Sequence, residues 1–448
     1  MTGGLGIDIG TSSVSSIRTD IPGGVSLTLK NDSHIGGKPW ENLQDPEGIM
    51  KKVLEIVDTS SDGDIGSVGL SGQMHGILYY DKEGKAVSPL YTWQDGRGNL
   101  PFRDGLSYAG WLSRLTGYSL STGFGAVTHF FNVKNGLVPP DAAGFCTIMD
   151  YAAMVLTGAR RPLADPSNAA SLGFFDLGSG RFDFDAVEKA GMDPGFFPEV
   201  SQDITVVGTY KGIPVVAAIG DNQAAYIGSV PYPDRSIHVT VGTSSQISVG
   251  TDTYSSAPGI ESRPLPGGGY IMVGAALCGG SSIALLNNFF RRVVESFTGS
   301  DIPEEALYGM MNSVPFIPRS GGELDVKTNF RGTREQPSER GSIGNISMSN
   351  LTPEDLVLGF NRGIADELYG FFEKMPEPVR NGKDRLVGSG NAVRRNELLR
   401  LSLEERFGCC LAVSGCTEEA ALGACICGLV GAGKVSSPEY YWKQVMSE

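Results

Sequence analysis

The sequence predicts an α/β protein built from two duplicated domains, and three observations carry that expectation. Its 448 residues exceed one ordinary core and suit two domains of about 200 residues each. Hydrophobic residues make up 40 % and charged residues 19 %, the balance of a globular chain. The third observation is an internal repeat: Leu-Gly-Ile-Asp-Ile-Gly-Thr-Ser-Ser at residues 5–13 returns as Ile-His-Val-Thr-Val-Gly-Thr-Ser-Ser at 237–245. The expected division is an N-terminal domain at 1–228 and a C-terminal domain at 229–448.

Each copy of the repeat is a β-branched strand running into Gly-Thr-Ser-Ser, followed by a second alternating segment (Val14–Ile17 and Gln246–Val249), which reads as a hairpin. Further strands are expected at Ser67–Ser71, Gly76–Tyr80, Ala86–Tyr91, Val215–Ile219 and Arg385–Val387. Helical patterns fall at Asp45–Val57, Gly110–Leu115, Tyr151–Leu156, Ser281–Phe297 and Thr352–Phe372. Thr352-Pro353-Glu354-Asp355 opens the last with an N-cap, a proline and acids in the first turn.

Net charge is −14, which argues against nucleic acid and anionic membranes as partners. Any phosphate ligand must then be held locally, by backbone N–H groups, helix N-termini and a metal ion. The seven cysteines are odd in number, form no C-x-x-C pair and sit beside only four histidines, so neither a disulfide framework nor a zinc site is expected. Reduced, buried thiols fit a cytoplasmic protein. No basic region and apolar run follow Met1, so no signal peptide is predicted. Residues 420–432 are too few to cross a bilayer.

Gly10-Thr11-Ser12-Ser13 and Gly242-Thr243-Ser244 are turns of consecutive N–H groups and small hydroxyls, able to wrap a phosphate. One such turn is ordinary loop chemistry; two at matching positions suit a phosphate chain held from both sides. Asp8 interrupts an apolar strand beside the first turn. A purely structural aspartate there needs partners, whereas a carboxylate holding Mg2+ on ATP phosphates has one supplied. Asp221 follows an apolar strand at its carboxyl end, where open α/β sheets place ligands. It reads as a helix N-cap, as a catalytic base taking a hydroxyl proton, or as both, and as a second metal-facing carboxylate. Gly72-Gln73-Met74-His75-Gly76 and Trp93-Gln94-Asp95-Gly96-Arg97 follow two further strands. Singly, His75 is an unremarkable loop residue and Trp93 a core residue. Together they supply the amide, imidazole, indole, carboxylate and guanidinium that read several sugar hydroxyls and stack on an apolar sugar face.

These segments, in this order, resemble the FGGY carbohydrate kinases, the sugar-kinase branch of the actin-like ATPase (ribonuclease H-like) folds. The likeness spans nearly the whole chain. Asp8–Ser13 resembles the first phosphate motif, and Ser71–Gly76 with Trp93–Arg97 the ketose-binding loops. Asp150-Tyr151, Leu156-Thr-Gly158, Asp165-Pro-Ser167 and Ala170-Ser171 resemble the scaffold of the sugar pocket. Gly220-Asp221-Asn222 is similar to the catalytic-base motif, and Val241–Ser244 to the second phosphate motif. Gly332-Thr-Arg334 with Pro337 and Arg340-Gly341 resembles a family loop. Gly388-Ser389-Gly390-Asn391 and Glu419–Gly423 resemble the adenosine motif.

The resemblance implies a two-domain duplicated fold with a cleft between the domains, ATP and Mg2+ as cofactors, and transfer to the terminal hydroxyl of a ketose. It implies catalysis by Asp221, sugar binding by Gln73, Met74, His75, Trp93, Asp95, Arg97, Asp221 and Asn222, and metal contact through Asp8 and Asp221. ATP would lie on Gly10–Ser13, Gly242–Ser244 and Gly388–Asn391. Gly-Thr-Arg followed by Arg-Gly-Ser-Ile, and Gly388–Ala392 with Arg395-Asn396-Glu397, look more like members acting on sedoheptulose than on xylulose. A pentulose is the alternative substrate, and an actin-like ATPase without sugar the more distant one. A homodimer is left open. Ser15 departs from the pattern, standing where many relatives carry lysine.

Overall fold

The computed structural model describes residues 3–19, 24–60 and 65–446. The chain forms two compact units: Met1–Pro231 with Arg263–Gly269 and Glu418–Glu448, and Tyr232–Ser262 with Tyr270–Thr417. The division therefore differs from the two contiguous halves expected at 228/229. Residues 418–448 and a short loop return to the first unit.

The first unit is built on a mixed sheet. Strands β1 (Gly3–Ile9) and β2 (Ser13–Arg18) form the expected antiparallel hairpin, and β3 (Val25–Lys30) extends it. Helix α1 (Pro46–Ser60) leads to β4 (Ile65–Gly72), which lies parallel to β1 on its other side. Helix α2 (Ile148–Thr157) packs with α1 over this sheet, burying Ile7, Val14, Val53, Ile56, Leu70 and Met154. Strands β5 (Val206–Tyr210), β6 (Ile213–Val216) and β7 (Ile219–Gly220) complete the sheet, and helix α3 (Asp221–Ser229) leaves β7. The expected strand at Val215–Ile219 is thus broken in two. Of the strand expected at Ala86–Tyr91 only Leu90–Tyr91 is extended with a partner strand. Between β4 and β5 the chain builds a second core around Tyr79, Phe130, Phe145 and Phe174, rich in aromatic edge contacts.

The second unit repeats the plan. Strands β8 (Ser236–Val241) and β9 (Ser245–Thr251) form the antiparallel hairpin, and β10 (Tyr270–Ala276) extends it. Helices α4 (Gly280–Thr298) and α5 (Pro353–Lys374) follow, the latter capped by Thr352, whose hydroxyl accepts from the Asp355 N–H. Strand β11 (Arg385–Ser389) lies parallel to β8, and after helix α6 (Glu397–Phe407) strand β12 (Leu411–Val413) lies parallel to β11. The sheet orders β6-β4-β1-β2-β3 and β12-β11-β8-β9-β10 match strand for strand. The sequence repeat is a structural duplication.

The last long helix, α7 (Glu419–Gly431), explains why the chain end belongs to the first unit. It is made of small residues and meets backbone. A Cβ on Gly6 would lie 1.8 Å from the Ala421 carbonyl oxygen, and one on Gly69 1.8 Å from that of Ala424. A Cβ on Gly423 would lie 1.8 Å from the Ala224 oxygen in α3. Only glycine allows that approach. The segment Glu419–Gly423, which resembles part of the adenosine motif, opens this helix of the first unit.

Candidate active site

The first turn joins β1 to β2 with its carbonyls committed. Asn31 Nδ2 donates to Gly10 O (3.0 Å), Gln44 Nε2 to Thr11 O (2.7 Å) and Asn31 N to Ser12 O (2.8 Å). Asp8 lies beneath. A Cβ on Gly10 would stand 3.9 Å from Asp8 Oδ2, and Ser71 Oγ on the paired strand donates to Asp8 Oδ1 (2.8 Å). Burial pushes the Asp8 carboxyl up to about 6, Ser71 opposing and the charge of Glu418 adding to it. Ser15 is the cross-strand partner of Asp8. Its Oγ lies 3.2 Å from Thr28 Oγ1, which donates to Glu418 (3.4 Å). Ser15 is thus linked through the Thr28 hydroxyl to a carboxylate.

The two predicted sugar loops meet the turn at Thr11. Its hydroxyl donates to Gln73 Oε1 (3.5 Å) and accepts from Trp93 Nε1 (3.0 Å), while Gln73 Nε2 donates to Gln44 (2.9 Å). The Trp93 ring is 46 % exposed, available to a ligand and not a core residue. His75 holds φ at +74°, a conformation uncommon outside glycine. Its N–H donates to Ser171 Oγ (3.2 Å), its Nδ1 lies 2.7 Å from Ser171 O, and its ring stacks on Phe124 at 4.5 Å. A carbonyl can only accept, so Nδ1 carries the proton and Nε2 is the acceptor nitrogen.

Two expected sugar readers sit elsewhere. Asp95 and Arg97 are buried and bound to each other, Nε to Oδ1 at 2.6 Å and Nη2 to Oδ2 at 3.2 Å. Arg97 Nη1 donates to Asn132 (2.6 Å), and its guanidinium lies 4.2 Å from the Tyr91 ring centre. Such a pair is spent on the protein and fixes the Trp93 loop from below. Met74 is buried as well. A Cβ on Gly220 would meet its Sδ at 2.6 Å, so the side chain wedges the β7–α3 junction.

Asp221 is the first residue of α3, with Gly220 as N-cap; the expected Asp cap is displaced by one residue. Burial raises its carboxyl to about 7, and the charge of Asp8 adds to this. Arg263 and the Asn222 N–H oppose. Behind it, Ser167 Oγ accepts the Gly220 N–H (3.2 Å) and donates to Asp165 (2.5 Å). Asn168 and Thr147 donate to Asp150 Oδ2 at 2.7 and 2.8 Å. Asp150, Asp165 and Ser167 belong to the scaffold that the resemblance implies; Asn168 and Thr147 were not expected. Nor were Glu418, Arg263, Gln44 and Asn31; no motif marks them.

Burial lifts Asp150 to about 7 and Asp165 to about 6. Because both carboxyls lie above their unfolded values near 4, the folded chain binds more protons between roughly pH 4 and 7. Their contribution to stability is present at low pH and falls as pH rises through that window. Asp150→Asn should flatten the decline by up to about 1.4 kcal/mol per pH unit, measured by denaturant melts across pH.

In the second unit, Gly280 N–H donates to Gly242 O (2.8 Å) and Ser281 N–H to Thr243 O (3.2 Å), so the start of α4 holds the second turn. Gly390, at φ +85°, brings the 388–391 loop against it; a Cβ there would lie 2.6 Å from Val241 O. Ser389 Oγ is 2.8 Å from Thr240 Oγ1 and 2.9 Å from His238 Nε2. Its hydroxyl is therefore buried in the unit, as is Gly388; Gly390 is half-buried and Asn391 exposed. Thr240 and Ser389 hold the register positions that Asp8 and Ser71 hold in the first unit. Only the first copy carries the carboxylate.

A model of the N-terminal domain of the FGGY family of carbohydrate kinases matches residues 4–228. Sedoheptulokinase from Mus musculus is 30 % identical to this chain, over 90 % of it and 92 % of the mouse protein. Sedoheptulokinase from Homo sapiens is 27 % identical, over 94 % and 96 %. The solved structure of xylulose kinase from Rhodospirillum rubrum shares the fold, with a TM-score of 0.80 at 20 % identity over 96 % of this chain and 91 % of that one. With a duplicated sheet, paired glycine turns and a family match across half its length, the chain belongs to the FGGY family of carbohydrate kinases.

Proposed function

We propose that this protein transfers the γ-phosphoryl group of ATP to the terminal hydroxyl of a ketose, sedoheptulose before others, giving sedoheptulose 7-phosphate. The observation that carries the choice of sugar is the likeness to two sedoheptulokinases along nearly the whole chain. Gln73, His75 and the exposed face of Trp93 line one side of the sugar, and Asp221 takes the proton of the attacking hydroxyl. A carboxyl held near 7 is suited to that task, since a base works best with its pKa close to the working pH. The turns at Gly10–Ser13 and Gly242–Ser244, with Gly388–Asn391, receive ATP.

The donor set fits Mg2+. Asp8 and Asp221 are hard oxygen ligands, and each is held up by burial without a neighbouring cation strong enough to offset it. Among the described residues no group of three or more side chains forms a metal cage. That agrees with an ion that binds one or two carboxylates and completes its shell with phosphates and water. When bound, the ion neutralises charge on the transferring phosphates. Asp8→Ala should raise the magnesium needed for half-maximal rate by at least about tenfold; an unchanged titration removes Asp8 from the metal.

Substrate choice is tested by a coupled ADP-release assay over sedoheptulose, xylulose, ribulose, fructose and glycerol. The chain length that delivers its terminal hydroxyl to Asp221 should win by at least about tenfold in kcat/KM, because a misplacement of about 1 Å costs about a hundredfold. A clear win for xylulose makes this a pentulose kinase. ATP turnover indifferent to every sugar overturns the kinase reading itself.

A further inference from the structure

The second unit contains a cavity of about 840 Å³ whose lining includes neither phosphate turn nor the 388–391 loop. Its size is that of a small-molecule site. Val326, Ala276 and Phe371 contribute an apolar floor, and Gly274 makes room for Phe371, since a Cβ there would lie 2.4 Å from the Phe371 Cβ. Asn329 lines the cavity at 7 % exposure, and its Oδ1 is buried with no hydrogen-bond partner. An acceptor so placed is costly unless a donor reaches it.

The charge of the wall decides the kind of donor. Five carboxylates line the cavity against two lysines. Asp366 is already paired with Arg319 and Arg406, at 2.8 and 2.9 Å, which leaves four against two. Glu367 is tied to the buried acceptor's neighbour: Thr328 Oγ1, itself buried beside Asn329, donates to it at 2.6 Å. Burial pushes the Glu367 carboxyl above its ordinary range, and the charge of Glu339 at the rim adds to that. Lys374 Nζ stands 5.4 Å from the Phe371 ring centre, so the ring face already receives one ammonium. Phosphates, nucleotides and carboxylic acids are repelled by such a wall, whereas an N–H-bearing cation satisfies Asn329 and Glu367 together.

We infer that this cavity is a binding site for a small organic cation, an ammonium on an apolar chain, held by Asn329 Oδ1 and Glu367 over the Phe371 floor. It is independent of the sugar and ATP sites and does not rest on the choice of substrate. Calorimetry of the full chain with cadaverine, pentanediol of the same length and glutarate tests it. Cadaverine should bind, the diol at least about tenfold more weakly, and glutarate not at all, because charge-assisted hydrogen bonds are about twice as strong as neutral ones. Glu367→Gln and Asn329→Leu should each weaken cadaverine by about tenfold. Glu339→Gln, on the exposed rim where folding is not at stake, should weaken it by about two- to threefold. The inference fails if cadaverine does not bind at millimolar concentration, if the diol or glutarate binds as well, or if no variant alters its affinity.

Discussion

Asp221→Asn should leave a folded protein that binds sugar with unchanged KM and turns over about 10²- to 10⁴-fold more slowly, the range of a lost general base. That is about 3–5 kcal/mol of transition-state stabilisation. The substitution keeps size and removes the proton acceptor together with the charge that Asp221 offers Mg2+, so a magnesium titration of the variant is read beside its rate. Burial makes the ionised carboxylate unwelcome in the folded state, so the neutral amide should cost no stability above pH 7 and should add some. Slow turnover together with an undiminished melting temperature separates a chemical role from a structural one. A variant keeping more than about a tenth of the wild-type rate would show that Asp221 is not the base.

The second large effect is structural. Gly69→Ala should destabilise the first unit by about 3 kcal/mol or more, at the upper end of overpacking costs. The added methyl would sit 1.8 Å from the Ala424 carbonyl oxygen, and backbone cannot rotate aside as a side chain does. Helix α7 must move off β4 and β1 as a whole. Gly309→Ala serves as the control: nothing lies within 4 Å of its Cβ, and it sits inside a helix. It should stabilise by up to about 1 kcal/mol. Chemical melts of the two variants give the comparison, and equal melts would mean that α7 does not rest on the sheet as described.

Much of this was legible in the chain. The repeat at Gly10 and Gly242 announces two hairpins because a strand, a glycine turn and a returning strand are local, and local chemistry is written in consecutive residues. Thr352 and the acids after it mark the start of α5 for the same reason. Asp8 stood out as a carboxylate among Ile and Gly. What remained hidden was longer in range. Helix α7 is apolar on every side, with residues 421–429 all buried, so no face of it tells which sheet it will join. Asp95 and Arg97 look like ligand readers in a list of residue types; only the fold brings Asn132 and Tyr91 around the guanidinium and removes the pair from the surface. Glu418 and Arg263 flank the carboxylates from segments with no motif of their own.

The return of α7 to the first unit also sets an order of events during synthesis. The strands of that unit's sheet leave the ribosome within the first 220 residues, but the helix that covers Gly6 and Gly69 follows about 200 residues later. At translation rates of about 5–20 residues per second the uncovered sheet face waits roughly 10–40 s. During that interval the nascent chain offers a flat, glycine-lined apolar surface with no partner in its own sequence yet made. Burial of that face then waits on synthesis and not on the intrinsic folding rate. Shortening the chain before residue 419 would make the wait permanent.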